Sequence, residues 1–414
     1  MPDEVPTSTA FFQERYMPKG PLHDVRILDF TRVLSGPFAT LTLADQGAEI
    51  IKIEAPVGGD DTRHFPPFRG DLSHYFTALN RNKKSIVLDL SKEAGKQIAR
   101  DLAAQCDVVV ENFRPGVMDH IGLGYEALSA LNPRLIYCAI SGFGAEGPFR
   151  DRPAFDIVVQ ALSGVMSING EQGELASKLG LPMGDMIGGI NGAIGILMAL
   201  HERTRTGMGS FVDISMLDGL TGLLGYLAQI YFVTGQSPKP VGSKHPNIVP
   251  YGSFDTRDGR MIIACLTNNF WQNLARAIDR EDLLTDPRFT DYKDRLAHRV
   301  EIDTLVEACT VTRTTAEWEE RFARFDVPHA PVLSVGEALD QPNTLARGMV
   351  GTAHHPEHGD IQMVRSPIRF AGTERAPLVV PPALGEHTED VLKDVLGLSS
   401  ASIEALRAQG VINS

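Results

Sequence analysis

Asp185 carries the functional group in this sequence with the clearest potential for chemistry. It stands in Leu181-Pro182-Met183-Gly184-Asp185-Met186-Ile187-Gly188-Gly189, at the start of an almost wholly apolar segment that runs to Leu200. A carboxylate at the edge of such a segment is costly to bury unless it is paired or used. The pattern predicts a helix beginning beside it, whose free N–H groups and positive dipole end favour an anion. That field, worth roughly 0.3–1 kcal/mol, is expected to hold Asp185 ionised at neutral pH, the state a carboxylate nucleophile needs. The plain alternative is that Asp185 only caps the helix, a common post for aspartate.

Other groups carry weaker signals. Asn80-Arg81-Asn82-Lys83-Lys84 directly precedes an apolar run, with Arg63 and Arg69 upstream and Arg114 after Asn112-Phe113. This is either a phosphate-binding set or a solvated positive surface. Gly142-Phe143-Gly144-Ala145-Glu146-Gly147 matches G-x-G-x-x-G after a predicted strand. Pro148 follows at once, and Arg150, Asp151, Arg152 and Pro153 do not open an apolar helix, so NAD binding is not expected. The glycines make a turn or let the backbone approach something closely. Ala353-His354-His355-Pro356-Glu357-His358 contains metal-ligating types, but Pro356 breaks any helical i, i+4 geometry. It reads as a turn, and no metal site is expected. Ser141 and Ser163 each precede a glycine outside G-x-S-x-G, which gives no support to a hydrolase elbow.

The elements that must position these groups alternate in type. Val25–Phe30, Ala48–Glu54, Ser85–Leu90, Asp107–Glu111, Arg134–Ile140 and Ser210–Ser215 read as strands. Helical spacing lies between them, with Pro37 at a helix start, Gly47 at its end, and a second helix over Lys92–Gln105. Apolar strands alternating with amphipathic helices imply an α/β fold with a parallel sheet covered on both faces. An apolar helix runs from Met216 to about Val233, after which Gly235–Pro250 reads as a linker. We divide the chain into a large domain over 1–225, a linker over 226–250, a smaller α+β domain over 251–345, and a return segment over 346–414.

The 414 residues exceed one small core, and 43% hydrophobic with 22% charged residues is an ordinary globular balance. A net charge of −13 argues against nucleic-acid or anionic-membrane partners. The Leu179–Leu200 stretch resembles a membrane span, but Asp185, Asn191 and its glycines favour a packed core helix. Cys106, Cys138, Cys265 and Cys309 form no C-x-x-C pair, which fits a reducing compartment such as the cytoplasm. Residues 1–20 carry Asp3, Glu4, Glu14 and Arg15 without an apolar stretch, so no signal peptide is expected.

Several of these segments, taken in order, resemble the family III CoA-transferases. They are Leu28-Asp29-Phe30-Thr31-Arg32-Val33 with Ser35-Gly36-Pro37, Gly47-Ala48-Glu49-Ile50-Ile51-Lys52-Ile53-Glu54, Asn80–Ser85, and Val110-Glu111-Asn112-Phe113. Ser141–Gly144, Gly184-Asp185, His245-Pro246-Asn247 with Pro250-Tyr251, and Leu384-Gly385-Glu386-His387-Thr388 complete the set. The resemblance implies a Rossmann-like large domain built from both chain ends, a smaller domain inserted between them, and an interlocked homodimer. It implies Asp185 as a nucleophile that becomes acylated and then thioesterified, with an acyl-CoA and a small carboxylic acid as substrates and no permanently bound cofactor. It places CoA contacts at Val33, Leu34, Ser35, Leu88, Asn112 and Phe113 and along Arg114–His120; Arg63, Ser141 and Gly142 join these as candidates. Gly188, Gly189 and the Ser141–Gly144 loop are candidate oxyanion donors, and His245 and Tyr251 belong on the acceptor side.

The chain also departs from the family. Ala55, Ser91 and Ser141 stand where some relatives place basic residues, leaving Arg114, His120 and Lys92 to supply charge for the 3′-phosphate. Leu34 replaces a glutamine of the formyl-CoA enzymes, whose glycine-rich tetrad is also missing, so oxalate is not the expected acceptor. Overall texture is most similar to enzymes that use succinyl-CoA with a second dicarboxylate, whose distal carboxylate would need Arg63, Lys244 or His245. The alternative is an α-methylacyl-CoA racemase, whose aspartate falls on Asp156. Its histidine would stand where this chain has Phe155, which leaves two-sided proton transfer without a partner.

Overall fold

Runs such as Ile27-Leu28, Ile50-Ile51 and Val108–Val110 are apolar at consecutive positions, the pattern of strands covered on both faces. In the computed structural model, which describes residues 20–171, 173–371 and 375–412, they form the middle of one six-stranded sheet. Its strands are β1 (Arg26–Asp29), β2 (Glu49–Glu54), β3 (Lys84–Val87), β4 (Val108–Glu111), β5 (Ile136–Ser141) and β6 (Phe211–Ser215). Every neighbouring pair is parallel, in the order β3-β2-β1-β4-β5-β6. The order reverses between β1 and β4. In such sheets the crevice beyond the carboxyl ends at that reversal is where ligands bind.

The helices that matter for the site are α1 (Ser35–Ala44), α2 (Glu93–Ala104), α3 (Asp156–Leu162), α4 (Met183–Thr206) and α5 (Met216–Leu223). Pro37 is the third residue of α1 rather than its first. The apolar stretch expected as one helix from Met216 is divided at Gly225 (φ +49°), and α6 (Gly225–Thr234) follows. The membrane-like segment is α4. Its glycine side presses on α1 and β5: a Cβ on Gly189 would lie 2.6 Å from the Ser35 carbonyl oxygen, and one on Gly192 would lie 2.7 Å from Ile140 Cδ1. Ile190, Ile194, Leu197 and Met198, on other sides of α4, are exposed.

The chain forms two compact units. The first holds the six-stranded sheet and comprises the described residues up to Val165, Lys178–Ala228 and those from Asn343 onward. Its C-terminal part covers the sheet edge at β3. The Val87 N–H donates to Thr388 Oγ1 (3.0 Å) and the Ser85 N–H to His387 Nδ1 (3.3 Å), so the edge strand is not left unpaired. The second unit comprises Met166–Ser177 and Gln229–Pro342. It contains an antiparallel sheet of Tyr251–Asp255, Arg260–Ala264 and His329–Pro331, with Trp271, Phe289, Trp318 and Phe322 in its core. Met166–Ser177, inside the 1–225 range expected for the large domain, belongs to the second unit. The first 19 residues, on which the signal-peptide expectation rests, lie outside the described residues.

Candidate active site

The loops after β1, β4 and β5 meet at the sheet reversal and enclose a cleft of about 310 Å³. Val33, Leu34 and Ser35 line it from the first loop, Asn112, Phe113 and Arg114 from the second, and Ser141 and Gly142 from the third. Asp185 reaches the same cleft from α4. The first two loops are tied together, since the Asn112 side chain accepts from the Arg32 N–H (2.9 Å) and donates to the Arg32 carbonyl (2.8 Å).

Buried ions hold the first loop from below. Lys52 pairs with Asp60 at 2.9 Å and Lys83 with Asp29 at 3.3 Å, all four side chains fully buried. Lys52 Nζ donates to the Thr31 carbonyl (2.6 Å), Asp29 accepts from the Thr31 N–H (2.8 Å), and Asp60 accepts from the Val33 N–H (3.3 Å). This frame keeps Val33 at φ +66°, a left-handed conformation that costs a β-branched residue roughly 1–3 kcal/mol.

Asp185 sits in the first turn of α4 but does not cap it. Asp156 does so from α3. Its Oδ1 accepts from the N–H groups of Gly184 (2.7 Å) and Asp185 (3.3 Å), while Oδ2 accepts from Gln160 Nε2 (2.6 Å). The remaining first-turn amides are also used: Met183 N–H bonds to the Leu181 carbonyl and Met186 N–H to that of Pro182. Among the described residues of this unit, none donates a hydrogen bond to the Asp185 carboxylate. Burial, and then the Asp156 charge, push its carboxyl up to about 7. The expectation that the helix field keeps Asp185 fully ionised at neutral pH is therefore corrected, because that field falls on Asp156. Tyr75 also faces this centre; burial first, then the charges of Asp185, Asp156 and Asp60, raise its phenol to about 12.

The structure redistributes several expected site residues. Leu88 lines a neighbouring cavity of about 320 Å³ with Ala55, Asp60 and Ser91, and Arg32 and Phe113 form a wall common to both spaces. Arg63 is not available to CoA or to an acceptor. Its guanidinium bonds Glu54 through two nitrogens (2.8 and 2.7 Å) and the Pro382 carbonyl (3.1 Å), and it lies over the Phe76 ring. Lys92 Nζ is likewise committed to the carbonyls of Gln409 and Gly410. His120 is exposed and is not part of the cleft lining. Gly188 and Gly189 lie past the first turn of α4, where helix carbonyls take the amides; they are glycines because α1 and Met216 leave no room for a side chain. His245 and Tyr251 belong to the second unit, where their rings pack 5.3 Å apart and the His245 N–H donates to the Tyr251 carbonyl.

The Asn80–Lys84 run is neither a phosphate site nor a solvated face. Arg81 and Asn82 bond Asp45, Lys83 pairs with buried Asp29, and Lys84 pairs with Glu49. The cations that do line the cleft are Arg32, Arg114, Arg150 and Arg152. Arg150 and Arg152 were not among the expected cleft residues; their signal is two arginines within six residues of the glycine loop that leaves β5. Gly142 allows that loop to approach Ala154, whose Cβ would be 2.1 Å from a Cβ at 142. The histidine-rich segment forms the turn between strands Val350–His355 and Gly359–Val364, where His358 Nε2 lies 2.6 Å from Asp71.

Comparison with known proteins gives this geometry a context. The sequence model described as CoA-transferase family III matches residues 22–388. A mouse succinyl-CoA:glutarate CoA-transferase is 37% identical over 95% of this chain and 90% of its own length. An acetyl-CoA:oxalate CoA-transferase of Acetobacter aceti is 39% identical over 86% of this chain and 90% of its own. The crystal structure of a CAIB/BAIF family protein from Brucella suis superposes with a TM-score of 0.82, at 35% identity, over 91% of this chain and 100% of that one.

Proposed function

Because the chain belongs to CoA-transferase family III, and so is a CoA-transferase of the EC 2.8.3 type, we propose that it moves CoA from succinyl-CoA to a second small dicarboxylate, with Asp185 as the covalent carrier. The observation that carries this reading is a mostly buried carboxyl, free of capping duty, in a cleft lined by four arginines. An Asp185 carboxylate oxygen attacks the thioester carbonyl, the C–S bond breaks, and CoA leaves as the thiolate. The thiolate attacks the aspartyl carbonyl of the mixed anhydride, releasing the donor acid as a carboxylate and leaving an aspartyl-CoA thioester. The acceptor carboxylate then attacks that thioester and expels the thiolate. The thiolate finally takes the acceptor acyl group and frees Asp185. Each step exchanges one acyl bond for another, so neither ATP nor a net proton is needed.

Each tetrahedral stage places negative charge on a carbonyl oxygen. The N-terminus of α1 supports its stabilisation, because Leu34 and Ser35 line the cleft and the Ser35 and Gly36 amides have no partner among the described residues. Arg32, Arg114, Arg150 and Arg152 offer the cations for CoA phosphates and for a distal carboxylate, replacing Arg63 in that role. Lys244 is a weaker acceptor-side candidate, since it pairs with Asp303 at 2.9 Å. Relatives named for glutarate and for oxalate put both acids in the acceptor panel, although Leu34 makes oxalate the less expected of the two.

The racemase alternative needs a base on each side of the substrate. Asp156 is committed to helix amides, and among the described residues lining the cleft none is histidine. The exposed residues Ile190, Ile194, Leu197 and Met198 of α4 support a homodimer, and four free thiols support a reducing compartment such as the cytoplasm. The test mixes succinyl-CoA with a panel of acids and identifies each new acyl-CoA by mass. A new thioester with a dicarboxylate supports the reading; α-proton exchange without any acceptor supports racemisation instead.

A further inference from the structure

We propose that Asp156 is a positioning residue for the transfer: its carboxylate seats the first turn of α4 and keeps a negative charge beside Asp185. The inference rests on Asp185 being the nucleophile and deepens that reading. The geometry is specific. Oδ1 bridges the amides of Gly184 and Asp185 at 2.7 and 3.3 Å, which fixes the backbone that carries the reacting carboxyl. Oδ2 is held by Gln160 Nε2 at 2.6 Å. Gln160 is fully buried, and its Oε1 accepts from the Leu179 N–H at 2.9 Å, so the same side chain latches the segment that leads into α4. The backbone is cut away to admit Asp156: a Cβ on Gly184 would lie 3.0 Å from Asp156 Oδ1 and 2.6 Å from Val159 Cγ2.

Two consequences follow for the chemistry. The positive end of α4 is neutralised by Asp156 instead of acidifying Asp185. The Asp156 charge beside Asp185, with the burial of the site, makes the Asp185 carboxylate more basic, and a more basic oxygen is the better nucleophile once ionised. The other charged and titratable groups around Asp185 are Arg32, Asp61, Arg114, Arg150 and Arg152 in the cleft and Tyr75 on the helix His74–Asn80. Of the elements packed on α4, α1 carries no titratable group, α5 carries exposed Asp218, β6 carries exposed Asp213, and β5 carries buried Tyr137 and Cys138. Asp156 is the acidic group that touches the Asp185 backbone.

The test is the pH profile of kcat/KM for succinyl-CoA with a working acceptor, between about pH 5 and 9. Wild type should lose activity on the acid side as Asp185 takes a proton. Asp156→Asn keeps the shape and an acceptor oxygen but removes the charge. It should move the acid limb to lower pH by roughly one unit and lower the plateau rate. Asp156→Glu should return the limb toward wild type while leaving kcat reduced. Asp156→Ser, a neutral helix cap, serves if the asparagine variant does not fold, and should shift the limb in the same direction. Gln160→Ala, which leaves the charge but loosens it, should lower kcat without moving the limb to lower pH. A limb that stays at the wild-type position in both neutral variants overturns the proposal, whatever happens to the rate. Failure of the underlying reading has a different signature: Asp185→Asn would still transfer CoA.

Discussion

Two helices begin at the cleft, and their N-termini are treated in opposite ways. At α4 every amide of the first turn has an acceptor, two of them on the Asp156 carboxylate. At α1 no side chain caps the helix, Pro37 has no N–H to cap, and the amides of Ser35 and Gly36 have no partner among the described residues. The closed end carries the acid, and the open end contributes Leu34 and Ser35 to the cleft lining, where the proposed transfer would build charge on a substrate oxygen. A helix field aimed at Asp185 would acidify it and weaken it as a nucleophile. A field aimed at the reacting carbonyl stabilises only the charge that develops there. The difference between the two termini separates these two tasks.

The strongest break in this comparison is Asp185→Ala. It removes the proposed carrier and leaves the Asp156 cap intact, so transfer should fall by about 10³-fold or more with unchanged secondary structure. Rates from acyl-CoA product mass and circular dichroism check both halves. Next comes Glu54, which accepts from the Asp60 N–H at 2.9 Å and so reaches the loop below the open end. Arg63→Ala leaves mostly buried Glu54 without its guanidinium, which should cost on the order of 3 kcal/mol in denaturant unfolding with little change in KM for CoA. A large KM increase in that variant would return Arg63 to the binding site.

Asp185→Asn sharpens the closed end. Its carboxyl is raised from 3.8 to about 7, so the folded state binds more protons than the unfolded one across that window. Stability contributed by the proton is present below the window and lost as pH rises through it. The asparagine variant should therefore match wild type near pH 4 and exceed it near pH 8 by on the order of 4 kcal/mol. Equal stabilities at both pH values would mean that Asp185 is not strained by ionisation. Gly189→Ala tests the contact between the two helices, since its new methyl would meet the Ser35 carbonyl at 2.6 Å. A loss of about 1–3 kcal/mol is expected. The smallest effect is that of Arg150→Ala, which should raise KM for acyl-CoA about tenfold, an effect that weakens as salt is added.

Much of the frame was legible in the chain. The six strands were found because each is a short apolar run followed by helical spacing, a local signal. Asp185, which the structure places in the cleft, stands out in the sequence because a carboxylate in a glycine-rich apolar segment is conspicuous. The residues misjudged are those whose partners lie far away in sequence. The Asn80–Lys84 run offers cations, and nothing local reveals that Asp29, Asp45 and Glu49 will pair with them. Arg63 answers to Glu54 and Pro382. The cap of α4 comes from Asp156, 28 residues before the first amide it binds. Gly188 and Gly189 look like oxyanion donors until α1 is seen against them.

The most direct measurement of the central claim is the intact mass of the protein caught during turnover with succinyl-CoA, followed by peptide mapping. An adduct equal to CoA less one water on the peptide containing Asp185, removed by hydroxylamine and missing from Asp185→Ala, is the predicted result. CoA transfer at the wild-type rate without that adduct, or with the adduct on another residue, would contradict it.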